Sequence, residues 1–232
     1  MSITWQDVVV LERPYGLSEK EMTEAKEVAT ELSGNLYDRQ KEFLASDCPG
    51  AILARKNKIH TGIISELVMK HFLDSSTKGQ IEIVYGGLLN GHTCPDEFDF
   101  AISGKTVDIK SSIEKNKTII CMDNREELIR TILTQRNFTL PIDQGQKDFI
   151  FQIIYVGDKA LLCGAIQVKE LAKQENIRDL VLNNGQIQKT YMKKLVCGQS
   201  LQDILKICLR GNALNSSSHN SVTTDSDRTD ER

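Results

Sequence analysis

Residues 95–110, PDEFDFAISGKTVDIK, form the stretch of this chain that most restricts its fold. Two β-prone runs flank Ser103-Gly104, a dipeptide suited to a two-residue hairpin loop. Closing this loop symmetrically places Asp99 directly across from Asp108. Because side chains alternate between the two faces of a strand, the pattern predicts a hairpin with one apolar face and one charged face.

The two predicted faces of this hairpin have different chemistry. The side chains expected to enter the core are Phe98, Phe100, Ile102, Val107 and Ile109, and those on the opposite face are Glu97, Asp99, Asp108 and Lys110. Cross-strand neighbours lie about 5 Å apart, so the carboxylates and the ammonium are forced together. A divalent cation, which prefers oxygen ligands, would relieve the repulsion between the carboxylates. The alternative is an ordinary solvated face with a cross-strand Glu–Lys pair.

Asp99 on one strand and Asp108-Ile109-Lys110 on the next resemble the signature of the PD-(D/E)xK nuclease superfamily. The resemblance covers about residues 60–172. It implies an α/β fold with a mixed central β-sheet flanked by helices, the restriction-endonuclease-like fold. It also implies that Asp99, Asp108 and the backbone carbonyl of Ile109 bind Mg²⁺, with Mn²⁺ as a substitute, and that Lys110 orients the attacking water.

The literal Pro-Asp pair of this signature is also present, at Pro95-Asp96. The hairpin alternation, however, puts Asp96 on the apolar face. We therefore assign the first acid of the signature to Asp99, while Asp96 and Glu97 stay open as additional contributors to the metal site.

Members of this superfamily often carry a further glutamate on the first core helix, and the segment GIISELVMKHFL supplies Glu66. On a helix its neighbours are Ile63, Met69 and Leu73. A carboxylate framed by apolar groups faces the interior and needs a partner such as a metal ion or a lysine. The resemblance makes Glu66 a second-metal or supporting ligand. The alternative is a surface ion pair with Lys70.

Two short basic runs are candidates for contacts with substrate phosphates. The residues concerned are Arg55, Lys56, Lys58, Lys115 and Lys117. Such runs are also common in solvated loops, and that alternative stays open.

The remaining pattern is of helices followed by strands with helical interruptions. Ser18 with Glu21 three positions later predicts a capping box at the start of a helix to about Leu32. The other predicted helices are 36–45, 62–73, 126–136, 169–173 and 201–209, a turn is predicted at 48–50, and the predicted strands are 81–85, 98–102, 105–110, 149–156 and 160–168.

Length and composition are those of a soluble globular protein. We expect residues 1–211 to form a single nuclease domain and residues 212–232, rich in Ser, Thr, Asn and Asp, to be a disordered tail. No apolar run approaches the length of a membrane span and the N-terminus lacks a signal pattern, so we expect a cytoplasmic protein. The six cysteines form no CxxC pair, which favours free thiols over a zinc site.

The net charge is −3 and the pI is near 5.9, so the chain has no excess of basic residues such as nucleic-acid-binding proteins commonly have. Overall charge is a weak guide, however, when a cleft is basic locally. The sequence therefore predicts a Mg²⁺-dependent endonuclease acting on double-stranded DNA as a homodimer, of type II restriction-like character. The alternatives are a repair or junction-resolving nuclease of the same fold and a non-catalytic DNA-binding or assembly module.

Overall fold

The structure is a computed structural model that describes residues 2–34, 49–86, 98–144, 146–181 and 185–208. These residues form a mixed six-stranded sheet flanked by helices and a separate three-stranded sheet. The predicted α/β class with a mixed central sheet is confirmed. The predicted helix 36–45 and the polar tail 212–232 lie outside the described residues.

The helices are α1 (Glu19–Gly34), α2 (Pro49–Thr77), α3 (Lys117–Ile120), α4 (Arg125–Gln135), α5 (Val168–Leu171) and α6 (201–208). The strands are β1 (Val9–Glu12), β2 (Ile83–Tyr85), β3 (Phe100–Ile102), β4 (Lys105–Ile113), β5 (Asn137–Pro141), β6 (Phe149–Val156), β7 (Lys159–Gln167), β8 (Ile177–Val181) and β9 (Ile187–Lys194).

The large sheet has the strand order β1-β7-β6-β4-β3-β2. Strands β2, β3 and β4 form an antiparallel meander, and β4 then pairs in parallel with β6. The connection from β4 to β6 contains α4, as a parallel pair requires a crossover. The small sheet, β5-β9-β8, is antiparallel throughout.

The predicted hairpin is present with the predicted register. Phe100 pairs with Val107 and Ile102 pairs with Lys105. The two loop residues, Ser103-Gly104, have φ values of 49° and 74°. Positive φ at both central residues matches the twist of the flanking strands, so this dipeptide fixes the register.

Two apolar layers cover the two faces of the large sheet, and β6 shows which side chains enter each layer. Phe149, Phe151 and Ile153 pack in the layer built with α1, α2 and α6. Ile150 and Ile154 pack in the layer built with α4 and the small sheet. In the neighbouring strands, too, successive side chains point alternately into the two layers.

The N-terminus of α1 confirms the predicted capping box. The Ser18 hydroxyl accepts a hydrogen bond from the Glu21 N–H at 3.2 Å, and the Glu21 carboxylate accepts one from the Ser18 N–H at 2.7 Å. Each side chain thus satisfies an N–H group that has no partner within the helix.

Helix α2 is much longer than predicted. The predicted turn at 48–50 and the predicted helix start at Gly62 are wrong, because the helix begins at Pro49 and ends at Thr77. Proline is favoured at the first helical position, where its missing N–H costs nothing, and after Gly50 in the first turn no further Gly or Pro occurs before Gly62. The basic run around Arg55 therefore lies within a helix.

Strands β1, β5, β8 and β9 were not predicted. Strands β1, β8 and β9 lack the alternation that marks a strand with one buried face, and all but one residue of β8 is exposed. Strand β5 does alternate, with Phe138 and Leu140 buried, but it is only five residues long. Among the residues that the structure describes, no helix combines the length and apolar character needed to cross a bilayer.

Candidate functional site

The candidate site lies where the start of β3 meets the first half of β4. Asp99 immediately precedes β3, in a bend, and Asp108 lies within β4. The N–H of Asp99 donates to the carbonyl of Val107 at 3.0 Å, so Asp99 is one residue out of step with the ladder. The bend directs its carboxylate towards β4, so the predicted meeting of the two acids occurs without the regular pairing that the hairpin pattern assumed.

The side chains predicted to carry the chemistry are in contact. Asp99 Oδ2 accepts a hydrogen bond from the backbone N–H of Ile109 at 2.5 Å. The Asp99 and Asp108 carboxyl groups also lie close enough to interact directly. Lys110 Nζ lies 2.6 Å from Asp108 Oδ2, and the side chains of Lys110 and Asp108 keep 30% and 17% of their exposure. The site is thus a partly buried cluster of two carboxyls and one ammonium.

The electrostatics of this cluster are unfavourable to a second negative charge. Burial, and next the charge of Asp108, raise the pKa of Asp99 to about 7, although the Ile109 N–H and Lys110 act to lower it. A carboxyl group this close to another acid resists losing its proton, because the charge of the neighbour repels the new negative charge. A bound cation would remove that repulsion.

The strand register shows which face of the sheet carries the site. Asp108 pairs with Ile150 and Lys110 pairs with Gln152 across the parallel β4–β6 ladder. Ile150 belongs to the layer built with α4. By alternation, Asp108 and Lys110 project from this same face.

Glu66 is buried as predicted but does not join this cluster. It is 6% exposed, and its neighbours Ile63, Met69 and Leu73 are buried in the layer on the opposite face of the sheet. Lys70, the partner in the predicted alternative, binds Asp74 at 2.7 Å. The sheet itself separates Glu66 from Asp108.

The predicted phosphate-contacting residues are dispersed. Lys115 and Lys117 are exposed beyond the end of β4, away from the half of the strand that carries the site, and Lys58 is exposed on α2. Lys56 is partly buried, and Arg55 is only 5% exposed. Burial therefore makes Arg55 unsuitable for a contact with a phosphate in solution.

The donor set fits a hard cation with few protein ligands. The part of the chain that the structure describes contains no cluster of three or more Asp, Glu, His or Cys side chains. Mg²⁺, however, keeps several waters and is commonly bound by one or two carboxylates. Asp99 and Asp108 supply such a pair, whereas the other two acids weighed for this site, Asp96 and Glu97, lie outside the described residues.

One neighbour of the site was not singled out from the sequence. Gln152 is 3% exposed and stands directly beside Lys110 in the ladder. The sequence signal for Gln152 was a single polar residue in the otherwise apolar strand FIFQIIYV.

No protein-family model, curated protein sequence or solved structure gives a match to this chain.

Proposed function

We propose that this chain is a Mg²⁺-dependent DNA endonuclease of the PD-(D/E)xK superfamily with the restriction-endonuclease-like fold. The observation that carries the proposal is the contact of Asp99 with Asp108, beside a lysine two residues further along the same strand. These are the residue types, and the order along two adjacent strands, that the signature requires.

The topology around the site adds support. The helix α2 precedes an antiparallel meander, and α4 then leads into β6, which is parallel to β4. Two core strands followed by a helix, expected after the signature, are present as β6, β7 and α5.

In this proposal Asp99 and Asp108, with the carbonyl of Ile109, would hold Mg²⁺. When bound, the ion lowers the pKa of a water molecule and offsets charge at the phosphate. Lys110 holds a positive charge at the edge of the carboxylate pair, where it orients a water and balances charge on the attacking oxygen. Glu66 is left out of the ligand set because the sheet separates it from the pair.

Burial has a second role in this proposal. Burial of Asp99 weakens screening by solvent, so that charges act more strongly on a reacting phosphate than they would in water. The raised pKa of Asp99 means that the carboxylate pair is fully ionised only when a cation is present or the pH is well above 7.

The substrate we propose is double-stranded DNA, cut by a homodimer to leave a 5′-phosphate and a 3′-hydroxyl. The test incubates the protein with supercoiled plasmid and Mg²⁺ and maps the ends. Discrete bands support a sequence-specific, restriction-like enzyme, and preferential cutting of a four-way junction would instead support a junction-resolving nuclease.

A matched pair of variants ties any cutting to the site. Asp108→Asn should remove it, whereas Asp158→Asn, at an exposed turn with 65% of its side chain accessible, should cut like the wild type. DNA binding without cleavage under any divalent cation would overturn the proposal in favour of a binding or assembly module.

A further inference from the structure

Strand β6 carries a polar side chain where an apolar one would be expected. All eight of its residues are buried, and seven of them are apolar or aromatic. Gln152, the exception, is 3% exposed. Its side-chain hydrogen bond runs from Nε2 to the carbonyl of the adjacent Ile153 at 3.2 Å. Burying an amide for one long, local hydrogen bond is unfavourable, so packing alone does not explain this residue.

The register places Gln152 beside Lys110. The two residues are direct partners in the parallel β4–β6 ladder, so their side chains leave the same face of the sheet. Neighbouring strands lie about 4.8 Å apart, a distance that a glutamine and a lysine side chain span easily. The amide oxygen of Gln152 can thus reach the ammonium of Lys110.

On the other side of β6, the position facing Gln152 has no side chain. Its partner on β7 is Gly164, next to an irregularity in the β6–β7 register. Gly164 has φ +118°, and a Cβ there would lie 2.6 Å from the carbonyl oxygen of Gln199. A larger residue is therefore excluded, and the cross-strand side-chain neighbour left for Gln152 is Lys110.

Lys110 has unused hydrogen-bonding capacity. Its ammonium has three donors, and within the described residues its ion pair is with Asp108. If Asp108 binds a cation, that pairing weakens, and a flexible four-carbon side chain is then free to leave the site.

We propose that Gln152 is the positioning residue for Lys110, with its amide oxygen accepting a hydrogen bond from the ammonium when Asp108 engages a cation. This inference rests on the proposed nuclease function. Gln152 itself does not contact the reacting atoms. It restricts the lysine to the side of the carboxylate pair on which a phosphate would lie.

The test compares two substitutions at this position. Gln152→Met keeps the length of the side chain and removes the acceptor, whereas Gln152→Glu replaces it with a charged acceptor. Ile154→Met, on the same strand and face, controls for repacking. We expect Gln152→Met to lower kcat by about 10- to 100-fold and to change KM for DNA by less than about twofold. Ile154→Met should leave both constants near those of the wild type.

A second measurement does not depend on cleavage. In protein with ¹⁵N-labelled lysine and with Ca²⁺ present, NMR follows how fast the ammonium protons of Lys110 exchange with water. A hydrogen-bond acceptor slows this exchange, so Gln152→Met should speed it, whereas Gln152→Glu, which keeps an acceptor, should not.

The outcomes separate the two proposals. A wild-type protein that never cuts DNA overturns the nuclease function, and the NMR exchange measurement still decides whether Gln152 acts on Lys110. An exchange rate of Lys110 that Gln152→Met leaves unchanged overturns the positioning role, whether or not the protein cuts DNA. A fall in stability without a change in kcat or in that exchange rate would make Gln152 a structural residue.

Discussion

Asp99, which precedes β3 and contacts β4, and Glu114, which follows β4, are acids whose carboxylates the structure surrounds differently. Asp99 contacts the first half of β4, where its neighbours are a second carboxyl group and one backbone N–H. Glu114 directly follows β4, and its side chain is fully buried. It accepts hydrogen bonds from Arg136 and from the N–H groups of Lys115 and Asn116.

The pKa of each group reports this difference. Despite burial, the guanidinium of Arg136 and two N–H donors hold the pKa of Glu114 below its ordinary value. Burial and the charge of Asp108 raise that of Asp99 to about 7. The fold supplies Glu114 with hydrogen-bond donors, so its carboxylate stabilises the segment that follows β4. Asp99 has fewer donors and lies beside another acid, so its carboxylate is suited to accept a cation or a proton from outside the chain.

The largest expected effect is on catalysis. Asp108→Asn should reduce plasmid cleavage on the order of a thousandfold, because it removes one of two ligands and the partner of Lys110. The free energy of unfolding in EDTA at pH 8 should not fall, since the change relieves repulsion with Asp99. Cleavage rate and melting temperature are the measurements. A melting temperature far below that of the wild type would show that Asp108 stabilises the fold.

The opposite result is expected for the other acid. Glu114→Ala should lower the free energy of unfolding by about 3 kcal/mol, because it leaves two N–H groups and part of Arg136 without a partner. Urea denaturation measures this loss. Glu126→Ala, which removes an exposed ion pair with Arg130, is the control and should cost at most about 1 kcal/mol. Equal losses in the two variants would contradict the structural role of Glu114.

The third prediction concerns pH. The folded state raises the pKa of Asp99 to about 7, whereas in an unfolded chain an aspartate has a pKa of about 3.9. Between these values the folded state binds more protons, so the Asp99 contribution to the free energy of unfolding must fall as pH rises. From pH 5.5 to 7.5 in EDTA we expect a loss of roughly 2 kcal/mol.

The variant Asp99→Asn isolates that contribution. Its stability should lack this pH-dependent loss, so the difference between variant and wild type should grow in favour of the variant from pH 5.5 to 7.5. Other titrating groups cancel in the comparison. Parallel stability curves for the two proteins across this range would show that Asp99 does not carry a raised pKa.

The smallest expected effect is that of added metal on stability. Mg²⁺, Mn²⁺ or Ca²⁺ at a few times its dissociation constant should stabilise the wild type by about 1 kcal/mol at pH 8, and Asp108→Asn should not respond. Mg²⁺ and Mn²⁺ should support cleavage. Ca²⁺ should permit DNA binding only, because its looser coordination positions water poorly. Full cleavage in EDTA would exclude the metal mechanism.

Local sequence determined the hairpin and its chemistry. Ser103-Gly104 favours one loop type, and that loop fixes which residues of β3 and β4 are paired. Period-two alternation then placed Asp108 and Lys110 on one face. The same local rules placed β6, the capping box of α1 and the buried position of Glu66, because each depends on neighbours within a few residues.

Local rules failed where distant segments decide the outcome. Helix α2 begins at Pro49, although Pro49 and Gly50 are residues typical of a turn, and burial of Arg55 removes a residue that looked available to phosphate. The strands of the small sheet are stabilised by pairing with each other. The sequences of β8 and β9 show no clear alternation, and that of β5 alternates over only five residues.

The sequence by itself determined the hairpin and the shared face of Asp108 and Lys110, because loop chemistry and alternation act over a few residues, whereas a bend brings Asp99 to them. Only the tertiary structure decided what surrounds them. It put Glu66 behind the sheet, since the layer that a helix covers depends on how the whole chain packs. It also brought Gln152 to Lys110, because pairing between β4 and β6 joins residues 42 positions apart through a register that no local pattern specifies.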